Sequence, residues 1–343
     1  MVGVIIEIQR PCLLFLGDVQ DELSAKTAFG IRDWRREDCV GQFRLPACRV
    51  DLGLPDLEPV AARARGARTM IIGVANSGGY IAESWVAALV AAVAAGLDLA
   101  AGMHQRLAEI VPVAEAARRA GVSLHDVRQP RVSFPVGTGR KRPGQRLLTV
   151  GTDCAVGKKY TALAIDRELR RRGVSSDFRA TGQTGLMISG RGIVIDAVVA
   201  DFIAGAAEAL SPANRPDHWD VVEGQGSLLH PSYAGVTLGL IHGTQPDAIV
   251  VCHDPLRREL DEMPGFAVPD VADCAARHVE AARLTNSQAR FVGVSVNTSR
   301  MTPGAAAACR REFADRLRVP CVDPMRGGVA EIVDHLLETA PAV

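Results

Sequence analysis

The 343-residue chain has no excess charge of either sign: 39 basic residues balance 39 acidic ones. That balance argues against a protein that coats nucleic acid, which needs a basic surface. There is no C-x-x-C pair among Cys12, Cys39, Cys48, Cys154, Cys252, Cys274, Cys309 and Cys321. Zinc-knuckle and thioredoxin-type readings are therefore excluded, and reduced thiols in a cytoplasmic protein are expected. No long apolar run is present either. The longest, Trp85 to Leu97, stops at Asp98 after thirteen residues, short of the roughly 20 that cross a bilayer. It reads as a buried Ala-rich helix. Met1 to Ile8 is apolar, but Glu7 and Arg10 interrupt it and no small-residue cleavage site follows, so no secretory signal is expected. Repeats, low-complexity tracts and a G-x-G-x-x-G fingerprint are also missing.

What is there alternates between strand-like and helix-like runs, which predicts an α/β protein built on mostly parallel sheets. In the first half, Cys12–Leu16 and Thr69–Val74 read as strands, and Ser84–Ala95 and Arg106–Ala120 as helices. Residues 69–79 form a strand–loop–helix turn ending in Gly78-Gly79, a weak signal for a ligand loop. Arg128 to Arg146 breaks the pattern with Pro130, Pro135, Pro143 and three glycines, a composition that suits a linker. The expected division is a Rossmann-like domain over 1–135, a linker over 136–146 and a P-loop NTPase-like domain over 147–343. In the second domain the expected strands are Leu147–Val150, Val221–Glu223, Ala248–Cys252 and Phe291–Val296. The expected helices are Lys158–Arg172, Asp196–Ala209 and Ala305–Leu317.

The strongest local signal is Leu148-Thr-Val-Gly-Thr-Asp-Cys-Ala-Val-Gly-Lys-Lys-Tyr-Thr. A β-branched strand enters a small-residue loop and an amphipathic helix follows, the context of a phosphate loop. Backbone N–H groups and the helix N-terminus supply positive potential there. Gly151, Thr152, Cys154, Ala155, Val156, Gly157, Lys158, Lys159 and Tyr160 are the expected binding residues for a phosphate-bearing ligand. Two departures matter. Gly151 and Gly157 are one residue too far apart, so Thr152 stands at the usual first glycine. Lys159 stands where Ser or Thr ordinarily ligates Mg²⁺, which favours phosphate binding without a metal. Thr161 is a substitute hydroxyl two residues further on. Cys154 invites a nucleophile reading, but no base is evident beside it.

The second signal is Trp219-Asp-Val-Val-Glu-Gly-Gln-Gly-Ser: a short buried strand ending at Glu223 before a glycine-rich turn. An acidic residue at this strand end faces the phosphates in P-loop proteins. Together the two segments resemble the dethiobiotin synthetase branch of P-loop proteins. That resemblance makes Asp153 and Glu223 metal or substrate contacts. It also keeps open an ATP-dependent ligase or kinase-like enzyme using Mg-ATP.

Longer strings narrow the resemblance. Ala25-Lys-Thr-Ala-Phe-Gly-Ile-Arg-Asp-Trp, Gly151-Thr-Asp-Cys-Ala-Val-Gly-Lys-Lys-Tyr-Thr, Arg179-Ala-Thr-Gly-Gln-Thr-Gly, Ile195-Asp-Ala-Val-Val-Ala-Asp-Phe, Glu223-Gly-Gln-Gly-Ser-Leu-Leu-His-Pro-Ser and His242-Gly-Thr-Gln-Pro-Asp-Ala resemble the bacterial D-glutamate N-acetyltransferase family, also known as a P-loop domain of unknown function. The resemblance implies acetyl transfer from acetyl-CoA to the amino group of D-glutamate, with the CoA phosphates on the atypical loop.

Such a transfer needs a base, a polarised thioester carbonyl and a clamp for two carboxylates. Glu223 is the first candidate base and His230 the second; Asp153 completes the catalytic set. His242 and His253 read as structural. Arg179 leads the carboxylate-binding candidates, with Lys26, Arg44 and Arg257 behind it. Gln183, Thr184, Gln225 and Ser227 are expected to hydrogen-bond substrate oxygens, with Asn76 and Ser77 closing the site from the other domain. No metal ligand set is expected. The partner is a small amino acid, with no nucleic acid or membrane, and a homo-oligomer is the default. A nucleotide-sensing module or a dinucleotide oxidoreductase fits these strings less well.

Overall fold

The computed structural model describes residues 8–76, 78–128 and 133–340. The apolar start through residue 7, Ser77, and residues 129–132 of the proline-rich stretch lie outside them. Two units are present. One holds residues 8–128 together with Gln183–Ala197; the other holds residues 133–182 and 198–340.

The first unit carries a five-stranded parallel sheet in the order β2-β1-β3-β4-β5. Its strands are β1 (Cys12–Gly17), β2 (Cys39–Arg44), β3 (Thr69–Ile72), β4 (Asp98–Ala101) and β5 (Leu124–Asp126). Its helices are α1 (Lys26–Trp34), α2 (Pro59–Ala64), α3 (Val86–Ala94) and α4 (Val111–Ala120). β1 is buried along its whole length, as expected of a strand covered on both faces. The Ala-rich run splits: a 3₁₀ turn at Glu83–Trp85 precedes α3, and the chain re-enters the sheet at Asp98. The segment expected to be helical from Arg106 likewise opens with a 3₁₀ turn, Leu107–Glu109. Its helix starts at Val111, where Pro112 suits a first turn that needs no N–H donor.

The second unit carries a six-stranded parallel sheet in the order β11-β10-β9-β6-β8-β7. The strands are β6 (Gln145–Gly151), β7 (Ser176–Arg179), β8 (Trp219–Val222), β9 (Ala248–His253), β10 (Arg290–Val296) and β11 (Cys321–Val322). The helices are α5 (Lys158–Arg171), α7 (Ile203–Leu210), α8 (Ala234–Thr244), α9 (Val271–Arg283), α10 (Pro303–Leu317) and α11 (Ala330–Glu338). The intervening α6 (Gln183–Ser189) falls in the first unit. The chain places β7 and β8 on one side of β6, then crosses to build β9 to β11 on the other. Ligands of open parallel sheets bind beyond the carboxyl ends of strands at such a crossing. β6 and β8 deliver the phosphate loop and Glu223 there. No described helix is long and apolar enough to cross a membrane.

One further sequence expectation is corrected. The helix expected over Asp196–Ala209 is broken into 3₁₀ turns at Ile195–Ala197 and Ala200–Phe202 before α7 begins at Ile203. The chain changes units here, and Asp196 is held 2.7 Å from Arg128 in the first unit, so one straight helix is impossible. The segment expected as a linker is hydrogen-bonded within the second unit. Arg142 donates to Ser211 O, Gln245 and Gly243 O, and Thr138 and Gly139 bond Glu208.

Candidate active site

The loop after β6 is built from its own backbone. Gly157 precedes α5 with φ +106°, a left-handed conformation that glycine adopts without steric cost. Lys158 is buried, and its Nζ donates 2.7 Å to Asp153 O. Burial pulls its ammonium below the ordinary value. Lys159 is half-buried, with Nζ 5.2 Å from the Tyr160 ring centre. Thr161 is fully buried and committed elsewhere: its Oγ1 bonds Gly157 O at 3.1 Å and Ser295 Oγ at 2.7 Å. The substitute hydroxyl for a metal is thus turned into the core. Thr152 bonds the His253 ring at 3.0 Å, so His253 supports the loop, and burial pulls its imidazole pKa down.

Asp153 is fully buried, and both of its oxygens are engaged. One accepts from Arg257 at 2.6 Å and from Asp261 N at 2.8 Å; the other accepts from Cys154 N at 2.6 Å. Arg257 also donates to Cys154 O at 2.7 Å. This pair ties the loop after β9 to the phosphate loop, so Arg257 clamps protein rather than a substrate carboxylate. Asp153→Ala leaves a largely buried guanidinium unpaired and should cost about 2–4 kcal/mol, read as a lower midpoint in chemical unfolding. The Cys154 thiol is pushed above its ordinary value, mainly by burial, the opposite of an activated nucleophile. Cys154→Ala should keep activity within a few-fold, whereas loss of a covalent nucleophile costs on the order of 10⁴-fold or more.

Glu223 is the first residue after β8 and is 4% exposed. Its Oε2 accepts from Thr181 N at 3.0 Å and Gly182 N at 3.2 Å, while Thr181 Oγ1 donates to Glu223 O at 2.6 Å. Burial raises the carboxyl pKa above its usual range; Lys159, the two amides and Lys158 pull it back down. The two backbone donors fix the side chain while leaving Oε1 outside their bonds. Gln225 Nε2 donates to Thr181 Oγ1 at 3.0 Å. Ser227 is buried and accepts weakly from Leu229 N.

His230 is 1% exposed. Its Nδ1 accepts from Ser232 N at 3.1 Å, which puts the ring proton on Nε2, 3.2 Å from Asp261 O and 3.9 Å from Asp153. A ring fixed in that tautomer lacks a free lone pair. In that tautomer the ring serves the loop, and joining Asp153 and Cys154 around a metal would require the proton to move to Nδ1 and the Ser232 bond to break.

The remaining expected residues fall elsewhere. Arg179 is held by Asp220 at 2.7 and 2.8 Å and by Asp177 at 3.2 Å; its guanidinium belongs to an internal ion cluster. Gln183, Thr184, Lys26, Arg44 and Asn76 lie in the first unit. Gln183 accepts from Arg128 at 2.9 Å and Thr184 bonds Thr27 at 2.9 Å. Arg44 pairs with Asp56 at 2.5 Å. Asn76 donates to Tyr80 O at 3.0 Å, and Lys26 is exposed at the start of α1. His242 sits in the last turn of α8. The second unit thus brings together the phosphate loop, Glu223, Gln225, Ser227 and His230. Sequence reasoning missed the amides of Thr181 and Gly182. The signal for them was Gly182 itself, where a side chain would meet Gln225 at 2.6 Å.

The family models named Domain of unknown function (DUF1611_N) Rossmann-like domain and Domain of unknown function (DUF1611_C) P-loop domain match residues 43–130 and 135–333. A Tritonibacter scottomollicae protein named D-glutamate N-acetyltransferase is 49% identical over 329 residues, 96% of this chain and 99% of that protein. A Pseudoalteromonas sp protein of the same name is 43% identical over 331 residues, 96% of this chain and 100% of that one. The crystal structure of a DUF1611 family protein from Anabaena variabilis matches with a TM-score of 0.86 at 29% identity, covering 96% of this chain and 100% of that one. The chain belongs to the DUF1611 family, with the family's Rossmann-like and P-loop domains in the same order along the sequence.

Proposed function

We propose that this protein is a D-glutamate N-acetyltransferase that takes its acetyl group from acetyl-CoA. The observation that carries the reading is a desolvated carboxylate, Glu223, held by two backbone amides beside a phosphate loop that has no metal-ready oxygen. The names of the two full-length relatives support the same activity. The thioester of acetyl-CoA is already activated, so no nucleotide need be hydrolysed and no Mg²⁺ hydroxyl is required. The pyrophosphate and 3′-phosphate of CoA find backbone N–H groups, the N-terminus of α5, Lys158 and Lys159.

Glu223 removes a proton from the ammonium group of the amino acid, and the neutral amine attacks the thioester carbonyl carbon. A C–N bond forms and the C–S bond breaks; the proton held by Glu223 goes to the CoA sulfur, and the second proton of the attacking nitrogen passes to solvent as the amide forms. A desolvated carboxylate suits both halves of this exchange, since its raised pKa makes it the stronger base.

An ATP-dependent ligase would need a metal-bound triphosphate. Of the groups that would hold the metal, Thr161 and Asp153 have spent their oxygens on Ser295, Gly157, Arg257, Asp261 and Cys154, and Glu223 alone keeps one carboxylate oxygen outside its two amide bonds. Calorimetric titration with CoA separates the two readings. CoA should bind equally well in EDTA and in Mg²⁺, and Lys158→Ala should weaken binding about tenfold or more. Mg²⁺-dependent binding of ATP, with CoA failing to bind, would overturn the proposal.

A further inference from the structure

The first unit holds a thiol pair that this chemistry does not use. Cys12 opens β1 and Cys39 opens β2, the edge strand of the sheet, and the two are register partners. Neighbouring strands lie about 4.8 Å apart, inside the roughly 4.4–6.8 Å window between Cα atoms that a disulfide spans. Register partners point to the same face of a sheet. The ladder shifts register immediately beyond the pair, where Leu13 faces Gly41, so regular pairing does not lock the strands there. Cys12 is 1% exposed and Cys39 is half-buried. Their thiols donate to neighbouring carbonyls of one turn, Cys12 to Asp38 O and Cys39 to Arg35 O, each at 3.3 Å.

We propose that Cys12 and Cys39 are a peroxide-oxidised pair, with Cys39 as the attacking thiol and Cys12 as the resolving one. Cys39 is the more accessible sulfur, and it stands at the start of the last strand of the sheet. The neighbouring Cys12 side chain pulls the Cys39 thiol below its ordinary value, and the Arg10 guanidinium acts the same way; burial, Asp38 and Glu37 oppose them, while Cys39 and burial push the Cys12 thiol well up. A lowered pKa, partial access and a neighbouring resolving thiol are marks of an oxidation-sensitive cysteine. In the first step the Cys39 thiolate attacks one oxygen of hydrogen peroxide. The S–O bond forms, the O–O bond breaks, and hydroxide leaves as water after taking a proton. In the second step the Cys12 sulfur attacks the sulfenic sulfur of Cys39, the S–S bond forms and water departs. Two thiols lose two electrons in all, and one peroxide is reduced to two waters.

The pair lies at an anchor point. Arg10 forms an ion pair with Asp38 and donates to Met187 O and Ile188 O, while Arg35 donates to Ile188 O. Disulfide formation removes the S–H donors that now bond Asp38 and Arg35, two residues of the clasp on the end of α6.

The test is peptide mapping of the full-length protein after brief treatment with hydrogen peroxide, with free thiols alkylated before digestion. The expected result is a cross-linked peptide joining Cys12 to Cys39, two fewer alkylated thiols, and full reversal by dithiothreitol. In Cys12→Ala, Cys39 should instead be captured as a sulfenic acid by dimedone. Oxidation of Cys48 or Cys154 while Cys12 and Cys39 both remain alkylatable would overturn the proposal. The wild-type map decides this even if the variant folds poorly.

Discussion

Replacing Glu223 by glutamine is expected to lower kcat by about 10²–10⁴-fold, the range that a positioned general base supplies. The substitution preserves shape. A glutamine amide oxygen can accept from Thr181 N and Gly182 N as Oε2 does now, so the loss reports proton transfer rather than collapse. The pH dependence follows from the raised carboxyl pKa. The base works only when ionised, so wild-type kcat/KM should rise with pH through an apparent pKa above the ordinary glutamate value of about 4.3. That limb should vanish from the residual activity of the variant. Stability runs the other way. A carboxyl whose folded pKa is raised contributes stability that is fully present below its unfolded pKa and is lost as pH rises through the folded one. At neutral pH the wild-type protein therefore carries the cost of a buried charge that glutamine lacks. Glu223→Gln should unfold at the same temperature as wild type or higher near pH 7, with the gap closing as pH falls toward 4. A variant that is inactive and also less stable at pH 7 would count against the assignment.

Replacing Gly224 by alanine should cost about 4 kcal/mol or more, in the exceptional range for one substitution, and abolish activity. A methyl group there would sit 1.7 Å from Thr149 O and 3.1 Å from Lys158 Cδ. Thr149 belongs to the central strand β6, and Gly224 N donates to its Oγ1 at 3.1 Å. Backbone is thus pressed against backbone where β8 and the phosphate loop meet, and no rotamer change can relieve the clash. Either β6 or the Glu223 turn must move, taking Lys158 or the base with it. Gly157→Ala is the informative contrast. No atom lies within 4 Å of a methyl group there, so its cost is confined to the strained φ, about 1–2 kcal/mol. Chemical denaturation of both variants reads the difference.

The sequence made the phosphate loop legible because its chemistry is local. Strand, glycines, lysines and helix follow one another within fourteen residues, and the backbone does the binding. Strands such as Ala248–Cys252 were legible for the same reason, as continuous apolar runs bounded by turns. β2 and β7 were not. Cys39–Arg44 and Ser176–Arg179 carry polar and charged residues, and each stands at a sheet edge, where apolar patterning weakens.

Side-chain commitments were the least legible feature. Arg179, Arg257 and Asp153 have the residue types of a ligand clamp. Their partners, Asp220 for the first and each other for the last two, are 41 and 104 positions away. Only the folded chain shows that these charges are already spent. The amides that hold Glu223 were hidden for a related reason: any residue supplies an N–H, and Thr181 and Gly182 are chosen by where β7 ends. The crossing of Gln183–Ala197 into the first unit left no compositional mark. The string Ile195-Asp-Ala-Val-Val-Ala-Asp keeps helical periodicity across the point where the chain changes units.

The central claim is metal-free acetyl transfer to D-glutamate, with Glu223 as base and CoA on the phosphate loop. The most direct test is thiol release from acetyl-CoA by the purified protein in EDTA without ATP, with D-glutamate, L-glutamate or no amino acid added. Release with D-glutamate alone, retained in EDTA and lost in Glu223→Gln, is the predicted result. No release until Mg²⁺ and ATP are supplied, or equal release with no amino acid present, would contradict it.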